Sequence, residues 1–365
     1  TSGITDTEVT LSWTKATDNV SAPSALQYQV YRSSSNNLNT VANIEANGTA
    51  LGSYTADIGT YSVTGLMEST TYYFNVIAKD EAGNKTAYTM KQVVTSDITA
   101  PAVSDGTISM AGITATEVTL NWTKATDTVS ATSALQYQVY RSSSNNLNTV
   151  ANIEANGTAV GSYTTDIGTY SVTGLTESTT YYFNVIVKDE AGNKTAYTMK
   201  QVVTSDITAP AVSDGTLSTS GITATEVTLN WTKATDAVTA PSALQYQVYQ
   251  SSSNNLDTVA NIETNGTAVG SYTADIGTYS VTGLMESTTY YFNVIVKDEA
   301  GNKTAYTTKQ VVTSDITAPA VSDGTLSTSG ITATEVTLNW TKATDAVTAP
   351  SALQYQVYQS SSNNL

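Results

Sequence analysis

The sequence predicts an all-β protein, a row of β-sandwich modules joined end to end, on three observations. Trp13, Trp122, Trp231 and Trp340 sit in one phrase, EVTLSWTKATD or EVTLNWTKATD, and follow one another at intervals of 109 residues. A period of that size suits an independent sandwich domain and is too long for a solenoid unit that shares its core with its neighbours. Apolar and polar residues alternate in short runs, the mark of half-buried strands. The composition is 40% hydrophobic but only 13% charged, with 23 Tyr among 365 residues. Thr, Val and Tyr favour strands, and the helix-building residues are sparse.

The strands can be read in order along one module. In Glu8-Val9-Thr10-Leu11-Ser12-Trp13 the apolar side chains share one face. Leu26, Tyr28 and Val30 alternate with Gln27, Gln29 and Tyr31, and Tyr72, Phe74, Val76 and Ala78 alternate with Tyr73, Asn75, Ile77 and Lys79. Glu81-Ala82-Gly83-Asn84 reads as a turn, because Gly and Asn tolerate positive φ, and 86–95 reads as the last strand. A long insert, 33–57, is expected to hold one or two helical turns over 40–47, with Asn39 as N-cap and Gly48 as terminator.

The period divides the chain into 1–96, a module without its first strand; 97–205; 206–314; and 315–365, the first three strands of a further module. Such off-phase ends are expected of a stretch of a longer polypeptide. The connector Asp97-Ile98-Thr99-Ala100-Pro101 recurs from Asp206 and from Asp315. Its Thr-Ala-Pro sequence favours extended backbone, where a Gly-Ser linker would leave the modules loosely tethered. A semi-rigid linear rod is the expectation.

Composition narrows the function. A net charge of −16, with 15 Lys and Arg spread along the chain, offers no basic cluster for nucleic acid and disfavours an anionic membrane surface. The chain has no Cys and no His, which removes thiolate nucleophiles, Ser-His-Asp triads, disulfides and thiolate or imidazole zinc sites. No apolar run approaches the length of a membrane span. Glu45, Glu68 and Glu81 fall on loops or the insert, with no apolar pocket to tune one of them for acid catalysis. The expectation is that the chain is not an enzyme.

The phrase LSWTKATD…LQYQVYRS, with Leu66 followed by Tyr72, resembles the fibronectin type III pattern of immunoglobulin-like sandwiches. Tyr72 resembles that fold's tyrosine corner, whose hydroxyl bonds back to nearby backbone. The wording ATD after the tryptophan strand and KDEAGN after the sixth is similar to versions in bacterial secreted and surface proteins.

In a sandwich of that topology, Asp97, Asp127 and Asp189 gather at one junction, Asp206, Asp236 and Asp298 at the next, and Asp315 and Asp345 begin a third. The resemblance to adhesin repeats implies structural Ca²⁺ there, which takes six to eight oxygens; the plainer alternative is that these aspartates cap turns. Tyr31 and Tyr73, repeated as Tyr140 and Tyr182 and as Tyr249 and Tyr291, are read as facing away from the core. They would be either a platform for sugar rings or a neighbouring rod, or a cross-strand pair that stabilises its own sheet by under about 1 kcal/mol. Lys15 is the one candidate donor for an internal isopeptide bond, with ordinary surface exposure the stronger expectation.

These readings point to an extracellular or cell-surface structural protein, an adhesin rod or filament subunit. Its expected partners are neighbouring copies of itself, other rods, glycans or host ligands. The alternative is a spacer or carbohydrate-binding appendage of a secreted polysaccharide-degrading enzyme.

Overall fold

The computed structural model describes residues 1–363 and divides into two compact units, Thr1–Ser205 and Asp206–Leu365. The module at 97–205 shows the plan most fully. Its strands are β1 (Ile108–Ala111), β2 (Glu117–Trp122), β3 (Gln136–Ser142), β4 (Thr158–Thr165), β5 (Thr169–Thr173), β6 (Thr180–Lys188), β7 (Lys194–Ala196) and β8 (Lys200–Val203). One helix, α1 (Val150–Asn156), lies between β3 and β4. All pairings are antiparallel: one sheet runs β5-β2-β1, and the other runs β4-β3-β6-β7 with β8 also paired to β6.

The alternation in β2 sets the inner face as the sequence predicts. Val118, Leu120 and Trp122 are buried, whereas Glu117, Thr119 and Asn121 are only partly covered. They meet Tyr137, Val139, Phe183, Val185 and Val187 of the opposite sheet in one core. Burying side chains of this size contributes about 1.5–3 kcal/mol each. Trp122 lies 5.9 Å from the Tyr137 ring and 6.3 Å from the Tyr197 ring. Both tyrosine hydroxyls are satisfied, Tyr137 accepting from Ala125 N at 2.9 Å and Tyr197 donating to Thr123 O at 2.6 Å. The tyrosine corner is present: Tyr72, Tyr181 and Tyr290 hydroxyls accept from the amides of Met67, Thr176 and Met285 at 3.0, 3.1 and 3.0 Å.

The insert departs from its expected course. Its helix starts one residue later than predicted, with Thr40 rather than Asn39 as N-cap: the Thr40 hydroxyl accepts from Asn43 N, while Asn39 Oδ1 takes the Asn43 side-chain amide. Gly48 ends the helix as expected. The second half of the insert is a full strand, Thr49–Ala56, pairing with Gln27–Ser33. The predicted last strand is two, Lys85–Ala87 and Lys91–Val94.

The helix folds back over the outer face of its sheet and builds a second, smaller core. Tyr140, Leu147, Ile153 and Ile186 are buried there, with Val150, Tyr163, Tyr182 and Met199 packed around them. Burial of both faces explains why β6 breaks alternation, with five consecutive buried residues from Phe183 to Val187. Asn184 meets the polarity rule of such a site: its amide donates to Leu147 O at 2.6 Å and to Tyr197 O at 2.9 Å. Glu154 of α1 is paired with Lys194 of β7 at 2.5 Å. Gly157 fits because a Cβ there would stand 2.6 Å from Ile153 O and 3.2 Å from Leu147 and Tyr140 side chains.

Candidate functional site

The connector between the first two modules is held from both sides. Glu68, in the loop before Thr71–Lys79, accepts from Ile98 N at 3.1 Å with one carboxylate oxygen and from the Thr99 hydroxyl at 2.5 Å with the other. These bonds hold the Glu68 carboxyl below its ordinary range, the Thr99 hydroxyl acting most strongly. From the following module, Asn193 donates its side-chain amide to Asp97 O at 3.3 Å and Thr99 O at 3.4 Å. Asn193 is fixed in turn by Asp189, whose Oδ2 accepts from the Asn193 side chain and whose Oδ1 accepts from the amides of Gly192 and Asn193. Just beyond, Ala102 and Thr126 exchange two backbone bonds at 2.7 and 2.9 Å, and Pro101 is buried.

The second unit repeats the parts. Asn302 reaches Asp206 O and Thr208 O at 3.4 Å, and Ala211 pairs with Thr235. Glu286 accepts from Ile316 N at 3.1 Å and from the Thr317 hydroxyl.

The aspartates expected at the junctions accept local amide hydrogen bonds. Asp127 Oδ1 accepts from Val129 and Ser130 amides, Asp236 from Val238 and Thr239, and Asp345 from Val347 and Thr348. Asp97, Asp206 and Asp315 each accept from the amide two residues on, at 3.1 Å. Asp298 repeats the Asp189 pattern with Gly301 and Asn302. Among the described residues no three acidic side chains gather into a group able to hold a metal ion, and Asp127 Oδ2, Asp206 Oδ2 and Asp236 Oδ2 are buried without a hydrogen-bond partner. The carboxylates are nonetheless felt at the connector. Burial raises the Asp97 carboxyl first, and the charges of Asp189, Asp127 and Glu68 raise it further.

The tyrosine platform is corrected by burial. Tyr31, Tyr140 and Tyr249 are each 8% exposed and belong to the small core under the helix, and Tyr182 and Tyr291 pack half-buried against it. Tyr73 is likewise half-buried. The helix of the insert covers that face of the sheet and hides them. Lys15 is an ordinary ion-pair partner, 2.7 Å from Asp57 with both side chains about half exposed. Glu45 is paired with Lys85, and Glu68 with the connector.

Sequence reasoning missed Glu68 and Asn193 as connector ligands. The recurrence of Glu-Ser-Thr-Thr and Ala-Gly-Asn in step with Asp-Ile-Thr-Ala-Pro was the available signal, but the turn reading accounted for each phrase locally.

The fibronectin type III domain model matches residues 1–93 and 101–201. This chain belongs to the fibronectin type III family. A second model, the bacterial Ig-like domain, matches 201–315. Exoglucanase B of Cellulomonas fimi is 34% identical over 314 residues, 83% of this chain and 24% of that protein. Exoglucanase A of the same organism is 34% identical over 82% of this chain and 30% of its own length. Chitinase A1 of Niallia circulans is 33% identical over 57% of this chain and 25% of its own. The fibronectin type III chain thus spans 24–30% of the length of these three relatives.

Proposed function

We propose that this fibronectin type III array is a non-catalytic spacer of a secreted polysaccharide-degrading enzyme, and that it sets the orientation of successive modules instead of binding substrate. The observation that carries this reading is the connector held between Glu68 and Asn193, because a merely permissive tether needs no such bonds. The relatives are exoglucanases and a chitinase, which favours the spacer over an adhesin stalk or filament subunit. Sugar rings are commonly gripped by exposed aromatic faces, and none of the exposed large hydrophobic residues from 1 to 314 is aromatic. That argues against the carbohydrate-binding half of the same alternative. The proposal places the chain outside the cell.

Two measurements test it. Retention on insoluble cellulose and on chitin should match that of an unrelated acidic protein. Spin labels at engineered cysteines in modules 1–96 and 97–205 should report a narrow distance distribution that broadens in Glu68→Ala. Tight retention would overturn the non-binding reading, and an unchanged distribution would overturn the orienting role.

A further inference from the structure

Each helix ends on an Asn-Gly pair, at Asn47-Gly48, Asn156-Gly157 and Asn265-Gly266, and the pair occurs nowhere else in the chain. Asparagine followed by glycine is chemically labile, because no Cβ shields the glycine nitrogen from the asparagine side chain. The glycine amide loses its proton to solvent and its nitrogen attacks Asn Cγ. A C–N bond forms there, and the side-chain nitrogen leaves as ammonia. The resulting succinimide takes up water at either carbonyl. One opening gives Asp, and the other gives isoaspartate, in which the main chain runs through the side chain.

Packing, and not backbone conformation, demands the glycine. Gly157 has φ −84°, which any residue adopts. A Cβ on it would nevertheless stand 2.6 Å from Ile153 O, and Gly48 and Gly266 are equally close to Ile44 O and Ile262 O. The small core therefore fixes a reactive pair at the surface, since Asn47, Asn156 and Asn265 are all exposed. The same fold restrains the reaction. The Gly157 amide donates to Ile153 O at 2.8 Å, Gly48 to Ile44 O at 2.8 Å and Gly266 to Ile262 O at 2.9 Å. A nitrogen whose proton is held in such a bond is a poor nucleophile.

We propose that Asn47, Asn156 and Asn265 are spontaneous deamidation sites gated by opening of the helix end, and that the isoaspartate formed prevents the end from closing again. The rate follows the fraction of time the cap bond is broken. A helix of seven residues has little stability of its own, so its end opens more readily than the main core. Isoaspartate lengthens the main chain by a methylene beside a glycine with no free space around it. It also adds a carboxylate near Glu154 at a helix C-terminus, where negative charge is unfavourable. Tyr140, Leu147 and Ile153 then lose their cover.

The full chain, kept at neutral pH and warmed below its melting temperature, is mapped by peptide mass at intervals beside a synthetic peptide of residues 153–160. Asn156 is expected to deamidate at least ~tenfold more slowly in the chain than in the peptide. Thr149→Ala removes the N-cap hydroxyl that accepts from Asn152 N, and should raise the rate in the chain about fivefold. Asn156→Gln closes the corresponding ring far less readily, and should stop the reaction with unchanged melting. The isoaspartate fraction, separated by chromatography, should be cut by protease in the helix and its preceding loop faster than the parent. Equal rates in chain and peptide, or in the parent and Thr149→Ala, overturn the gating. An isoaspartate fraction as resistant to protease as the parent overturns the lasting opening.

Discussion

Residues 206–254 and 315–363 are identical in sequence but stand in different surroundings. In the first copy Leu217, Trp231, Tyr246 and Val248 belong to a closed core. In the second, Leu326 is 65% exposed, Trp340 39%, Tyr355 42% and Val357 58%, and these residues line an open cleft of about 310 Å³. The tryptophan hairpin survives the change: Leu326 still pairs with Trp340 as Leu217 pairs with Trp231. The following strand does not. Gln245–Ser251 is a strand between two neighbours, whereas 354–360 forms no strand. The comparison separates what neighbouring residues specify from what distant ones must supply. A hairpin is set by its own alternation, and a strand buried on both sides needs its partners.

Removing the tryptophan breaks the comparison most strongly. Trp231→Ala should cost about 3–5 kcal/mol, since it deletes a ring packed at 5.9 Å on Tyr246 and 6.3 Å on Tyr306. Trp340→Ala keeps the same chemistry but removes a ring whose one aromatic neighbour is Tyr355, and should cost less than about 1 kcal/mol. Calorimetry should show one module's transition falling for the first variant and a nearly unchanged trace for the second. Equal shifts would mean that the second copy is closed by contacts absent from this structure.

The small core gives the next effect. Tyr249 is 8% exposed beneath the helix Val259–Asn265, while Tyr358 is 68% exposed. Tyr249→Ala should cost about 3 kcal/mol, and Tyr358→Ala almost nothing. Proteolysis of the helix and the preceding loop should accelerate in Tyr249→Ala. If it does not, the helix is held by its Glu263–Lys303 pair and caps rather than by packing.

These contrasts also mark how much the sequence made legible. The main core was readable from Val9, Leu11 and Trp13 and their repeats, because strand alternation assigns a face without knowledge of the partner. The tyrosine corner was legible through the resemblance to the fibronectin type III pattern, and the bond it implies is made, from Met67 N to the Tyr72 hydroxyl. The role of Tyr31 was not. Its face is set by Leu38 and Ile44, and a half-insert that becomes an edge strand has no turn signal strong enough to reveal it. The junction aspartates were placed in the right loops, yet carboxylates that cap turns and carboxylates that hold metals look alike in sequence. In the structure one oxygen of Asp127 and of Asp236 caps its turn, and the other is buried without a hydrogen-bond partner.

The smallest effect separates the connectors by their surroundings. At 97–101 the strand is held by Glu68 on one side and Asn193 on the other, and Asp97 stands near Asp127 and Asp189. At 315–319 Glu286 repeats the hold of Glu68. The two carboxyls at the first connector have opposite linkage signs. Glu68 has a lowered folded pKa, so its contribution is present above the unfolded carboxylate range and is lost as pH falls through the lower, folded value. Asp97 has a raised folded pKa, so its charged form opposes folding near neutrality and proton uptake relieves that opposition as pH falls through the raised value. The distance distribution across 97–101 should therefore narrow on mild acidification and broaden again in stronger acid. Asp97→Asn should abolish the first phase and keep the second, while Glu68→Gln should do the reverse. A single monotonic response in the parent chain would show that the Asp97 charge does not govern the connector and that the Glu68 bonds alone set its stiffness.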